Sequence, residues 1–455
     1  MSEATMRRID LPDFGMPTSI PELPPAVYLD RLQRLQQRMT ERGYDRLVVY
    51  ADREHSANLS YLTGFDPRFE EAILVVSPED DPAILVGNEC WGMAAAAPVA
   101  MRRHLYQELS LPSQPRDRSR TLGEILGDEG IGKGSRVGVV GWKAFASMGP
   151  IDVPAFIVDE LRQKTGGSLE NATDILIGAG DGLRVINEVD QLAAFEYAAC
   201  HTSSGVRRLL FGLRPGITEQ EAVRLLEWNG MPLSCHLMLS AGPRASLGLL
   251  SPGDRPIEEG DPFTVAFGIW GALNCRAGFV AEGPGDLPAS IGDYVDRLVA
   301  PHFSAVAEWY EAVHIGQTGG VLQEIIDRRL GDPFFGIFLN PGHQIHLDEW
   351  VNSPVGPGSE IELASGMALQ VDIIPATGTD YFTTNIEDGI ALADEDLRAQ
   401  LAARHPDVWG RIEARRAFMK EELGIGLHAD VLPLSNIPAY LPPFLLRPDH
   451  VMTLA

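Results

Sequence analysis

Apolar residues recur along this chain at two different spacings, and the arrangement changes near residue 180. Tyr28 to Arg42 carries Leu29, Leu32, Leu35 and Met39 at helical intervals, and Gly43 stops the run. Arg46 to Tyr50, Ala72 to Val76, Ala83 to Val86 and Arg136 to Trp142 are short apolar runs of strand length. Pro78-Glu79-Asp80-Asp81-Pro82 joins the second and third as a hairpin turn. Val153 to Lys164 returns to helical spacing. Strands alternating with helices predict an α/β domain over about the first 175 residues.

Past Asp181 the elements come in blocks. Asn187 to Leu213 repeats apolar residues at i, i+3 and i+4, and Arg214-Pro215-Gly216 ends it. Thr218 with Glu221 is a capping-box pattern that opens another helix. Asp293 to Val313 and Gly320 to Arg329 read as helices, with short strands before and after them. Blocks of this kind predict an α+β domain. Ala399 to Lys420 reads as a charged helix. Leu432 to Leu446 is rich in Pro and Leu, and each proline removes a donor, which predicts a strap over the surface or against a partner chain. The expected division is an arm over 1–27, an α/β domain over 28–178 and an α+β domain over 179–455, with an extension from about 396 to 455.

Composition narrows the partners. The net charge of −26 repels phosphate backbones and anionic lipid, which argues against nucleic acid and membrane surfaces. Cys90, Cys200, Cys235 and Cys275 lie far apart with no CxxC pair, as expected of a cytoplasmic protein. The first 25 residues lack the apolar core of a secretory signal, and no run reaches the ~18 apolar residues of a membrane span. Nucleic acid and membranes are therefore not expected as partners.

The candidate chemistry sits in the last third. Asn340-Pro341-Gly342-His343-Gln344-Ile345-His346-Leu347-Asp348-Glu349-Trp350 supplies a histidine, Gly366 to Asp372 a carboxylate, and Asn385-Ile386-Glu387-Asp388-Gly389 another. Polar groups at the ends of apolar runs are what a buried hydrolytic or metal site needs. Asp348-Glu349 reads as a solvated turn. Between Asp261 and Glu282 there is no acidic residue, and Arg276 is the only charged one.

This order resembles the creatinase / aminopeptidase P / methionine aminopeptidase superfamily over about residues 28 to 395. Further motifs carry the resemblance: Asn58 to Phe65, Arg184-Val185-Ile186-Asn187-Glu188, Leu213 to Glu219, Gly342-His343, Gly366-Met367 and Ile386-Glu387-Asp388. It implies a creatinase-type N-terminal α/β domain followed by a C-terminal α+β domain of the pita-bread fold. In the peptidase members two metals are held by two Asp, one His and two Glu. His343 stands at the His position, Asp372 at the first Glu position, one methylene shorter, and Glu387 at the second. The first Asp falls at about Ala266 and the second within Leu273 to Ala277, where no acid stands. The histidine that those members carry seven residues after the ligand histidine is Trp350 here.

Two carboxylates and a neutral imidazole cannot balance two divalent cations in a low-dielectric site, so a dinuclear centre is not expected. The resemblance then implies a metal-independent, creatinase-like hydrolase that cleaves a C–N bond of an amidine or amide in a small zwitterion. His343 would act as base or proton donor, and Asp372 and Glu387 would bind a cationic group or orient His343 and a water. Arg276 would clamp a substrate carboxylate. The creatinase-type base is missing from Ala241 to Leu249, and His346 is a candidate replacement, although in a strand it faces away from His343. Cys275, beside Arg276, is either a nucleophile or a buried core residue. Trp350 is a candidate lining residue. In creatinase-like dimers an N-terminal loop reaches the partner's site, which makes Arg68 and Phe69 candidates and a homodimer the expected assembly. No cofactor is expected, with one divalent metal on His343, Asp372 and Glu387 as the variant. The alternatives are a non-catalytic pita-bread binding protein and an Xaa-Pro-peptidase-like enzyme with a single-metal site.

Overall fold

The computed structural model describes residues 4–167 and 169–454. The chain forms two compact units, Leu23–Arg184 and the combination of Met1–Glu22 with Val185–Ala455. The N-terminal arm therefore belongs with the C-terminal unit. Its strand β1 (Ala4–Arg8) pairs antiparallel with the last strand of the chain, His450–Leu454.

The Leu23–Arg184 unit is a six-stranded mixed sheet with helices. Its strands are β2 (Arg46–Ala51), β3 (Ala72–Val76), β4 (Ala83–Val86), β5 (Arg102–Leu105), β6 (Val137–Val140) and β7 (Leu169–Asn171), in the order β5-β4-β3-β2-β6-β7. The hairpin of β3 and β4 is antiparallel, with Leu74 opposite Ile84. All the residues of both strands are buried, as continuous apolar runs require. The helix Pro25–Arg42 opens on a proline whose missing N–H is no loss at that position. It closes at Gly43, whose φ of 70° suits glycine. Leu32, Leu35 and Met39 form its buried face, whereas Leu29 is exposed.

The second unit is built on an antiparallel sheet. Its strands are β8 (Met238–Ala241), β9 (Pro262–Ile269), β10 (Ala272–Phe279), β11 (His343–Gln344), β12 (Ala368–Ile373), β13 (Asn385–Leu392) and β14 (Val431–Pro433), and β15 (His450–Leu454) pairs with β1. The order is β11-β12-β13-β10-β9-β8, with β14 on β13. The helix Val189–Gly212 packs on β9 and β10. The capping box at Thr218 is formed, and Glu219–Val223 is the short helix that it opens.

The 432–446 segment is not a surface strap. Leu432, Ile437, Tyr440, Leu441 and Phe444 are all buried in the main core. Its prolines are tolerated because the neighbouring backbone pairs with the end of β10: Phe279 N–H donates to Pro443 C=O, and Leu445 N–H donates to Phe279 C=O. The charged tail is two helices, Glu395–Arg404 and Pro406–Glu421, divided where Pro406 lacks a donor.

Candidate functional site

Register in the antiparallel sheet sets the site. Asp372 on β12 lies opposite Glu387 on β13, Glu387 lies opposite Cys275 on β10, and Cys275 lies opposite Ala266 on β9. His343 on β11 lies opposite Gln370, two residues before Asp372 and on the same face. One face of the sheet thus carries His343, Gln370, Asp372, Glu387, Cys275 and Ala266.

His343 is the centre of this group. Its Nε2 lies 3.5 Å from Glu387 Oε1, 3.9 Å from Asp372 Oδ2 and 3.5 Å from Glu349 Oε1. The imidazole is fully buried, and the Trp350 indole stacks on it at 4.1 Å with an angle of 15° between the rings. Nδ1 lies 3.2 Å from the Gln344 carbonyl, which can only accept, so this nitrogen carries the proton. In the neutral ring the Nε2 lone pair then points at carboxylate oxygens. His343 Nε2, Glu387 Oε1 and Asp372 Oδ1 are all buried without a hydrogen-bond partner among the described residues. Lone pairs converging in this way require a positive species between them, a proton or a cation.

The proton affinities of the carboxylates follow from that crowding. Burial pushes Glu387 up to about 7, and the Cys275 thiol that donates to it pulls the other way. Glu349 is also held at about 7, by burial first, with His343 opposing and Glu387 adding to the rise. Burial and then the neighbouring Glu387 charge raise Asp372 well above the usual carboxylate range. At neutral pH this cluster therefore holds protons that exposed carboxyls would have released.

Glu349 corrects the expectation of a solvated turn. Only the two residues His343–Gln344 form a strand here, and the irregular chain beyond them turns back, with Val351 N–H donating to Gln344 C=O. That turn brings Glu349 and Trp350 onto the imidazole. Strand periodicity carries no signal for such a return. Gln370, which donates to the Leu273 carbonyl at 2.7 Å, is a second site residue that the sequence did not single out.

Several candidates lie elsewhere. Arg276 is buried on the opposite face of β10, where it donates to Asp388 Oδ2 at 2.8 Å, to Tyr440 C=O and to Ile437 C=O. Its charge is spent inside the core, so it is no clamp for a substrate carboxylate. Alternation along β10 is the reason, since Cys275 and Arg276 are neighbours and face opposite ways. Cys275 donates its thiol to Glu387 Oε2 at 2.7 Å, and burial followed by the Glu387 charge pushes that thiol well above its ordinary value. This is the reverse of an activated nucleophile. His346 is buried against Phe195 of the helix Val189–Gly212, ring centroids 5.1 Å apart, and does not join His343. Arg68 and Phe69 belong to the other unit, where Arg68 grips both oxygens of Asp66 and Phe69 is exposed.

The residues present do not fit a two-metal centre. Where the resemblance puts the missing aspartates, at about Ala266 and within Leu273 to Ala277, there is no acid, and on the face of Glu387 a methyl group, Ala266, lies opposite the Cys275 thiol. His343, Glu349 and Glu387 do offer one donor atom each, all within 4.8 Å of one another.

Residues 31–147 match the family model of the Creatinase/Prolidase N-terminal domain. No curated relative matches the chain. Among solved structures the chain is similar to the prolidase from Pyrococcus horikoshii OT3, with 16% identity and a TM-score of 0.62 over 80% of this chain and 95% of that one. It is also similar to the dipeptidase PepE from Mycobacterium ulcerans, with 20% identity and a TM-score of 0.61 over 82% and 95%. A putative aminopeptidase P from Bacillus anthracis gives 13% identity and a TM-score of 0.60 over 82% and 93%. At these identities the structural likeness establishes the fold: a creatinase-type N-terminal domain and a pita-bread C-terminal domain. Among the described residues no helix is long and apolar enough to cross a membrane.

Proposed function

We propose, from the chain's place in the creatinase / aminopeptidase P superfamily, that it is a hydrolase cleaving a C–N bond of a small amide or amidine without a two-metal centre. One observation carries the reading: three carboxylates converge within 3.9 Å of a single buried imidazole nitrogen. A cluster of this kind holds both a proton to give and a base to receive one. A carboxyl at about 7 is part protonated at neutral pH, so Glu387 or Glu349 can donate to the leaving nitrogen while an ionised neighbour accepts from water. His343 Nε2 faces both carboxylates as a lone-pair acceptor, and the Trp350 stack fixes the plane of its ring. The Cys275 thiol orients Glu387.

The substrate expectation narrows. A carboxylate clamp by Arg276 drops out, because that guanidinium serves Asp388. An excess of carboxylates favours a substrate with a cationic or hydrogen-bond-donating group. The expectation of metal-free hydrolysis was reached with two carboxylates counted, and Glu349 makes three, so the reading kept here is hydrolysis without a dinuclear centre. The four cysteines are free, which supports a reducing, cytoplasmic setting. With residues 432–446 buried in their own unit, a homodimer rests on the resemblance alone.

The test is release of amine or ammonia from a panel of Xaa-Pro dipeptides, small amides and amidines, by the full-length protein and by His343→Ala. Turnover that falls at least ~100-fold in the variant supports the reading. A panel untouched by the wild-type protein favours the non-catalytic binding module.

A further inference from the structure

We infer that the carboxylate–imidazole cluster binds a single divalent cation of the Zn²⁺ or Mn²⁺ type, with Glu349 as a ligand outside the strand positions that the family resemblance supplies. The geometry carries this. Two donors bound at ~2.1 Å to one tetrahedral ion stand about 3.4 Å apart. His343 Nε2 stands 3.5 Å from Glu349 Oε1 and 3.5 Å from Glu387 Oε1, and 3.9 Å from Asp372 Oδ2. The two 3.5 Å separations match that value and are too long for hydrogen bonds between the same atoms; the donors of His343, Glu349 and Glu387 all lie within 4.8 Å of one another, and Asp372 adds its charge beside them.

A second, independent observation is the state of the donor atoms. His343 Nε2 and Glu387 Oε1 are buried with no hydrogen-bond partner among the described residues. Nδ1 of His343 is committed to the Gln344 carbonyl, which leaves Nε2 as a lone-pair donor. Imidazole with carboxylates suits Zn²⁺ and Mn²⁺. Three carboxylates balance one dication with a single negative charge to spare. On β9 and β10 no carboxylate stands beside Glu387 to help hold a second cation; Ala266 and the Cys275 thiol face each other there. Glu349 therefore repairs, for one ion, the loss of charge that removed two.

The inference rests on the hydrolase reading and replaces the proton of the metal-free cluster with a cation: in the ion-bound form His343 Nε2, Glu349 and Glu387 are ligands and carry no proton. Its test reads no turnover, so failure of catalysis and failure of binding are separable. Full-length protein stripped with a chelator is titrated calorimetrically with Zn²⁺ and with Mn²⁺, and bound metal is counted after gel filtration. The expected result is one ion per chain. Glu349→Gln and His343→Ala each weaken binding at least ~100-fold, Glu349→Asp weakens it less, and Asp348→Asn, which removes a neighbouring charge, changes it under about threefold. Thermal melts of each variant show that it is folded, and Glu349→Asp serves if Glu349→Gln is not. Two ions per chain, one ion held equally well without the Glu349 carboxylate, or no binding at millimolar metal would overturn the inference.

Discussion

Cys275 Sγ lies 2.7 Å from Glu387 Oε2, across the pairing of β10 with β13. The thiol is a donor that holds a carboxylate in place. Cys275→Ser keeps a donor of similar reach, so it should keep turnover within a few-fold. Cys275→Ala leaves the buried oxygen unmet and should cost about 1–3 kcal/mol of stability. Denaturant unfolding and a turnover assay of both variants check this. A ~100-fold loss of activity in folded Cys275→Ser would restore the nucleophile reading.

Arg276 and Asp388 form an ion pair in which both side chains are 1% exposed. Removing either partner strands a charge in the core, so Arg276→Ala and Asp388→Ala should each destabilise the protein by about 3–5 kcal/mol. Urea midpoints measure it. A folded Arg276→Ala protein of near-normal stability with a raised KM would show that the guanidinium serves the substrate after all.

The cluster also sets a pH dependence. Glu349 and Glu387 sit at about 7, against an ordinary value of 4.5. Between those values the folded protein binds more protons than the unfolded chain, so the free energy of unfolding falls as pH rises through this window and levels off above it. In chelator, Glu349→Gln should therefore be more stable than the wild type at pH 8, by roughly 1–3 kcal/mol, and the gap should close toward pH 4.5. Urea titrations at the two pH values decide it; a gap that widens toward acid would mean that these carboxylates are not held protonated.

Ala266 and Cys275 face each other on β9 and β10. Replacing both with aspartate adds two carboxylates beside Glu387. The double variant should bind two divalent cations per chain, and without metal it should melt below the wild type, because the added charges repel. Metal counting checks the first point and a melt in chelator the second.

The sequence resolved the parts of this site that obey a period. His343, Asp372 and Glu387 stand in strand-like runs in the order that the resemblance implies, and the pairing of those strands brings them to one face. The misreadings share a physical cause. Arg276 was assigned to a substrate carboxylate as the one charged residue between Asp261 and Glu282, although on β10 it faces away from Cys275 and its site. Glu349 was assigned to solvent because acidic pairs in turns usually are, and only the return of Val351 onto Gln344 brings it inward. The Pro-rich segment from 432 to 446 was read from its missing donors alone, whereas long-range pairing with Phe279 buries it.

The central claim is that this site is built around one positive charge at His343. Anomalous diffraction from crystals grown with Zn²⁺ measures it most directly. The account predicts one peak per chain, within about 2.3 Å of His343 Nε2 and of oxygens from Glu349 and Glu387. Two peaks flanking Glu387, or one peak with Glu349 turned away to solvent, would contradict it.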